Sequence, residues 1–435
     1  MMMRIALFLL AMATPLRAEI AIQSVTSPGG IKAWLVEDHG IPFTALEIRF
    51  QGGTSLDAPG KRGAVNLMTA LIEEGAGDLD SQGFAAARDA LAAEFRFSSD
   101  QDGVSVSTRF LTENRDQAMA LLQTALVAPR FDQGAVDRVR GQVLAGLRND
   151  EKDQSAIAGS LARARSYGDH PYATVGDGTM ASVTALTRDD IAAAHKDSLA
   201  RDRITVAAAG DITAAELGVL LDKLLADLPA TGASQPGRAD MVVKSGIKLQ
   251  DFPGPQSVVM FGHGGIRFND PDYFAATLLN EIFGGGRFTA RLMTEVREKR
   301  GLTYGIGTSL ASYDHSEALV GQFQASNDKV AEAIDVIRAE WAKVAADGVT
   351  QDELATAKTF MTGSYPLRFD GNGNIASILV GMQIMGLPTD YPKTRNARVE
   401  AVTMADMKRV AARLFKPDDL SFIVVGQPLG VTATE

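Results

Sequence analysis

Two hydrophobic periods run along this chain. The segments IKAWLVED, FTALEIRFQGG, GVSVSTRFL, KSGIKLQDF and QSVVMFGHGGI alternate or stay apolar over short stretches, and predict strands. The segments RGAVNLMTALIEEGA, QAMALLQTALVA and DKVAEAIDVIRAEWAKVAADG repeat their apolar residues at helical spacing. Strands fall in clusters and helices in clusters, which favours an α+β layer over strict βαβ alternation. Glycine and polar residues separate the first two strand segments, so these are expected to be antiparallel neighbours.

The pattern occurs twice. LTRDDIAAAHKDSLARDRITVAAAGDI, from Leu186, aligns without a gap on VTMADMKRVAARLFKPDDLSFIVVGQP, from Val402, at an offset of 216 residues. Thr187 matches Thr403, Asp190 matches Asp406 and Gly210 matches Gly426. Each copy reads as a Thr N-cap, acidic residues in the first turn, a short helix, then a strand ending in glycine. Between the copies, DLPATGASQPGRAD has linker composition. The reading is two tandem homologous domains, residues 19–228 and 244–435, joined by a linker over 229–243.

The first twenty residues, MMMRIALFLLAMATPLRAEI, combine a basic residue (Arg4), an apolar run and a small residue at Ala18. This is the pattern of a secretory signal peptide over residues 1–18, and it predicts a periplasmic protein. The run is too short to span a bilayer. The chain of 435 residues has a formal net charge of −10, which becomes −12 once Arg4 and Arg17 are removed with the segment. That balance argues against nucleic acid as a general partner. With no cysteine, disulfides and thiolate zinc sites are excluded.

Candidate chemistry is sparse. His39, His170, His195, His263 and His315 show neither H-x-x-E-H nor H-E-x-x-H spacing, and His39 and His263 are expected in glycine-flanked turns. Glu73 and Glu74 are adjacent, point to different helical faces and read as solvated charges. GGGRFTARLMTEVREKRGLTYGIG, Gly284–Gly307, is neither a phosphate loop nor a dinucleotide fingerprint. Its basic residues are interleaved with Glu295 and Glu298, and Gly301 reads as a helix C-cap. Leu292, Met293 and Val296 form an apolar stripe. At about 100° per residue Arg297 lies well off that stripe and Arg300 closer to it. Tyr304 shares a strand face with Ile306 and Leu310, so from spacing alone it could be a core tyrosine.

DPDYFAATLLNEIFGGGRFTARLMTEVREKRGLTYGIG, Asp270–Gly307, resembles the second domain of the pitrilysin/insulinase family of zinc peptidases, which includes the mitochondrial processing peptidases. The likeness covers most of the chain. It implies two tandem domains, each a mostly antiparallel sheet with helices packed on one face. In that family the first domain carries H-x-x-E-H on a helix, two His ligands and a Glu base, with a distal Glu as third ligand. Aligned on Gly63, those positions hold Asn66, Thr69 and Ala70, and the distal one falls at Ala145 or Gly146. None can replace the residue of the family. The resemblance therefore implies a chain that binds no metal. The family's second domain carries an Arg and, seven residues later, a Tyr, matched here by Arg297 and Tyr304 in REKRGLTY. There the pair binds the substrate backbone and assists the polarised carbonyl, and Gly284, Gly285 and Gly286 correspond to a glycine-rich segment suited to close approach of an extended substrate. The expectation is a subunit that is inactive alone and supplies Arg297 and Tyr304 to the zinc site of a homologous H-x-x-E-H partner. The alternative is a non-enzymatic scaffold or peptide-binding member of the same fold.

Overall fold

The computed structural model describes residues 20–239, 241–242 and 244–434. The signal-like segment, its expected cut after Ala18 and Glu19 lie outside them. Thirteen strands are present among the described residues: β1 (Gln23–Thr26), β2 (Lys32–Glu37), β3 (Phe43–Gln51), β4 (Gly75–Ala76), β5 (Leu79–Asp80), β6 (Glu94–Ser99), β7 (Gly103–Leu111), β8 (Ile204–Gly210), β9 (Gly246–Gln250), β10 (Gln256–Gly264), β11 (Ile306–Ser312), β12 (Glu317–Ser326) and β13 (Ser421–Val425). Apart from the small β4–β5 hairpin they form two sheets, in the orders β1-β2-β8-β3-β7-β6 and β11-β12-β10-β13-β9.

Reversed, the second order is the first without its edge strand β1. Each sheet has one parallel pair, β2 with β8 and β9 with β13, and is otherwise antiparallel. The architecture is α+β. The repeat also holds in local detail. Thr187 and Thr403 each cap a helix in a reciprocal box with Asp190 and Asp406. Gly210 (φ 126°) and Gly426 (φ 151°) end the equivalent strands. A Cβ on either would stand within 2.3 Å of a neighbouring strand's atoms, Phe43 O for Gly210 and Ser257 Oγ for Gly426.

The first two strand segments are not neighbours. β8 lies between β2 and β3, pairing parallel with one and antiparallel with the other. The reason is its composition: Val206, Ala207, Ala208 and Ala209 are all fully buried, and a strand apolar on both faces belongs in the middle of a sheet covered on both sides.

The cover on the second side comes from the other half of the chain. One core lies between the first sheet and its own helices, around Phe50, Phe84 and Phe110. The matching core of the second half packs Trp341 against the rings of Phe261, Phe283 and Phe415. On the opposite face of the first sheet, Ala45, Ala207 and Ala209 meet Ala376, Leu379 and Val380 of the helix Asn372–Ile384. On the opposite face of the second sheet, Val258, Ile423 and Val425 meet Ala158 of the helix Gln154–Tyr167. Each half thus completes the burial of the other's sheet.

His263 is not in a turn. It sits in β10, 2% exposed, with Nδ1 2.8 Å from Gly264 O and its ring 5.2 Å from that of Trp341, and burial lowers its pKa. Among the described residues no helix is long and apolar enough to cross a membrane.

Candidate functional site

The helix Tyr273–Gly284 runs into the three glycines. Gly284 is buried, and a Cβ there would lie 2.4 Å from Thr308 Oγ1, so this glycine lets the helix end pack on β11. Asn280 fixes the same contact through Thr308. A Cβ on Gly285 would meet Glu281. Both glycines therefore serve close approach within the chain. Gly286 is exposed, has φ 84° and has open space around it.

Beyond the glycines, Met293–Glu298 is a π-helix, marked by the bond from Lys299 N to Thr294 O at 2.9 Å. A π turn takes more residues than an α turn, so a fixed 100° per residue misplaces the side chains after it. Ion pairing then separates the basic residues. Arg287 is 2.5 Å from Glu281, Arg291 forks onto Glu353 at 2.6 and 2.7 Å, and Lys299 and Arg300 both meet Glu295. Arg297 has no carboxylate partner among the described residues. Its guanidinium lies 4.9 Å from the ring of Phe288, itself 69% exposed.

Gly301, at φ 61°, ends the helix, and its N–H donates to Arg297 O at 2.9 Å. The loop that follows is pinned along its length. Lys329 Nζ donates to Gly301 O at 2.8 Å, and Thr303 Oγ1 donates to Gln324 O at 2.6 Å. Leu302 and Ile306 are buried on either side. Between these anchors Tyr304 is 90% exposed. It is not a core tyrosine, because it precedes β11 instead of continuing the buried face of that strand. Arg297 and Tyr304 line one cavity of about 480 Å³ with Gln256, Gln324, Ser326 and Lys329. Phe288, Lys329 and the π turn belong to this surface and were not singled out by the sequence, which carries no local signal for the exposure of Phe288 and Tyr304.

The positions of the absent zinc motif lie elsewhere. Asn66, Thr69 and Ala70 are on the helix Ala64–Leu71, whose N-terminus is held by Asp57 accepting from Gly63 N and Val65 N at 2.8 Å each. Burial pushes the Asp57 carboxyl up to about 6, against the pull of these N–H groups and of Arg62. Asn66 is half-buried and lines a cavity of about 500 Å³ with Arg49, Thr54 and Asp177, closed from the other half by Ser312 and Tyr313. Thr69 is buried and donates its hydroxyl to Val65 O at 2.8 Å. Ala70, Ala145 and Gly146 are exposed. This donor set does not fit zinc: one neutral amide, one hydroxyl already engaged, and no ligand atom at the other positions. Among the described residues no group of three His, Asp or Glu side chains could hold a metal ion. Ser312 closes the Asn66 cavity, whereas Tyr304 precedes the other end of the same strand. Seven residues of β11 span about 20 Å, so the structure does not bring the Arg/Tyr pair and the degenerate motif into one pocket.

The remaining candidates have structural partners. Glu73 and Glu74 are not merely solvated, since Arg88 lies 3.1 Å from the first and Arg138 2.5 Å from the second. His39 is exposed beside Asp211 at 2.6 Å, a hydrogen bond that raises its pKa. His195 is lowered by burial and contacts Leu126 O at 2.8 Å.

Residues 185–361 match the family of the peptidase M16 inactive domain. The whole fold superposes on the crystal structure of a peptidase M16 inactive domain from Pseudomonas fluorescens with a TM-score of 0.89, at 27% identity, over 96% of this chain and 100% of that one. Over residues 185–361 the chain is thus similar to the M16 inactive domain, and its fold as a whole is that of the Pseudomonas fluorescens protein. The non-peptidase homolog YmxG of Helicobacter pylori is 24% identical over 393 residues, 89% of this chain and 90% of that one. An uncharacterized zinc protease of Streptomyces coelicolor is 24% identical over 404 residues, 90% of this chain and 86% of that one. The similarity therefore extends both to a protein named a non-peptidase homolog and to proteins named zinc proteases. Purified alone, this chain is expected to hold no stoichiometric zinc and to cleave no peptide. One equivalent of tightly bound zinc by elemental analysis, removed with loss of peptidase activity, would contradict this.

Proposed function

We propose that this chain is the metal-free subunit of a periplasmic heteromeric zinc peptidase, exported by its N-terminal segment. It supplies Arg297 and Tyr304 in trans to the zinc site of a homologous H-x-x-E-H subunit. The observation that carries the reading is Tyr304, almost fully exposed on a pinned loop, in one cavity with an arginine that has no carboxylate partner among the described residues. A phenol held out in water by buried anchors on both sides is preorganised for a group outside its own fold. The partner's zinc supplies the activated water. Arg297 offers a fixed charged fork to the substrate backbone, and the Tyr304 hydroxyl donates to the carbonyl oxygen as it gains negative charge.

Affinity purification of the mature chain from its native periplasm tests the assembly. Recovery of a homologous H-x-x-E-H chain, together with peptidase activity that neither chain shows alone, is the expected result. A homomeric or solitary protein that binds peptides without turnover favours a scaffold or peptide-binding role in its place.

A further inference from the structure

The cavity around Arg297 has a charge character that its neighbourhood lacks. The formal net charge of the chain is −10, and the other basic residues of Arg287–Arg300 are neutralised by Glu281, Glu353 and Glu295. Two cations that line this cavity, Arg297 and Lys329, have no carboxylate within ion-pair distance among the described residues. Lys329 is held in place by a neutral acceptor, Gly301 O at 2.8 Å. That bond leaves it two further N–H donors and offsets none of its charge. Glu298 is the acid of the lining. Asp328, next to Lys329 in the chain, accepts from Ser326 and is not part of the lining. The Arg297 guanidinium lies over the Phe288 ring at 4.9 Å, a contact that uses none of its N–H donors.

We infer that this cavity selects peptides that place a carboxylate in it, with Lys329 as the specificity-determining cation beside Arg297. The inference rests on the reading that Arg297 and Tyr304 contact substrate, and it adds the substrate's chemical class. A backbone carbonyl alone uses one of these donors. A carboxylate has two oxygens, enough to accept from the Arg297 fork and the Lys329 ammonium together, in charge-assisted bonds stronger than neutral ones. The carboxylate could come from a peptide C-terminus or from an Asp or Glu side chain, and the measurement separates the two.

The mature chain is titrated into fluorescein-labelled unstructured peptides, read by anisotropy at low salt. One pair differs only as C-terminal acid against C-terminal amide, the other only by an internal Glu against Gln. In at least one pair the acid form is expected to bind about five- to tenfold tighter, with the ratio shrinking as salt screens it. The pair with the larger ratio identifies the source. Lys329→Gln, whose amide keeps a donor for Gly301 O, is expected to cut that ratio by about twofold or more, Arg297 accounting for what remains. Equal affinity within about twofold in both pairs, no binding of any peptide, or a ratio undiminished by Lys329→Gln would each overturn the inference. Failure of the trans-site reading looks different: carboxylate-selective binding would persist while kinetics of the reconstituted pair ignored Tyr304→Phe.

Discussion

Tyr304→Phe is expected to lower turnover of the reconstituted pair by roughly 10²–10³, about 3–4 kcal/mol of transition-state stabilisation, the usual worth of one oxyanion donor. The ring stays and only the hydroxyl goes. Because that hydroxyl sits on a residue 90% exposed, its removal should leave the melting temperature, the partner's zinc content and the affinity between subunits unchanged. Arg297→Ala removes a group that binds the substrate and holds the transition state more strongly still, so it should raise KM as well as lower kcat. Arg300→Ala is the control. Its guanidinium is tied to Glu295, through both the carboxylate and the carbonyl, and it should cost little in either parameter. Normal kinetics per folded molecule in both Tyr304→Phe and Arg297→Ala would leave the trans-site proposal without its residues.

How far the sequence reveals this site depends on what each feature rests on. The repeat was legible because caps are local: Thr187 with Asp190 and Thr403 with Asp406 announce themselves within three positions. The reading of Asn66, Thr69 and Ala70 as a degenerate zinc motif came from the resemblance, through alignment on Gly63, and not from any local pattern. The choice of arginine was not legible in the spacing. Helical periodicity at a constant angle favoured Arg300, and the π-helix Met293–Glu298 breaks that constancy. Only the resemblance selected Arg297; in the folded chain Arg300 is paired with Glu295, and Arg297 has no carboxylate partner among the described residues. The placement of β8 between β2 and β3 was hidden for a different cause. β8 follows β3 by more than 150 residues, and pairing over that separation leaves no local trace except the doubly apolar run ITVAAAG.

The exchange of helices between halves has the second large consequence. Leu379→Ala is expected to destabilise the protein by about 2–5 kcal/mol, and to do so in both halves together. Leu379 is fully buried on the helix Asn372–Ile384, against Ala45, Ala207 and Ala209 of the first sheet. Truncation opens a cavity on a sheet made by the other end of the chain. The same helix carries Gln383, whose amide donates to Val206 O at 2.9 Å, so the helix is bonded to the sheet as well as packed on it. The helix Gln154–Tyr167 makes the reciprocal contact, with Gln154 donating to Gln256 O at 2.9 Å. Neither half can unfold without baring an apolar face of the other, and such mutual burial couples their stabilities. The two tryptophans report the halves separately: Trp34 is in β2 of the first sheet and Trp341 in the core of the second half. In variants retaining one tryptophan each, guanidinium titrations should give coincident transitions, shifted alike by Leu379→Ala. Leu367→Ala, in the same half but 76% exposed, should stay within about 0.5 kcal/mol. A Leu379→Ala shift seen by Trp34 and not by Trp341 would mean that the halves unfold independently, and that the exchanged helices are contacts without coupling.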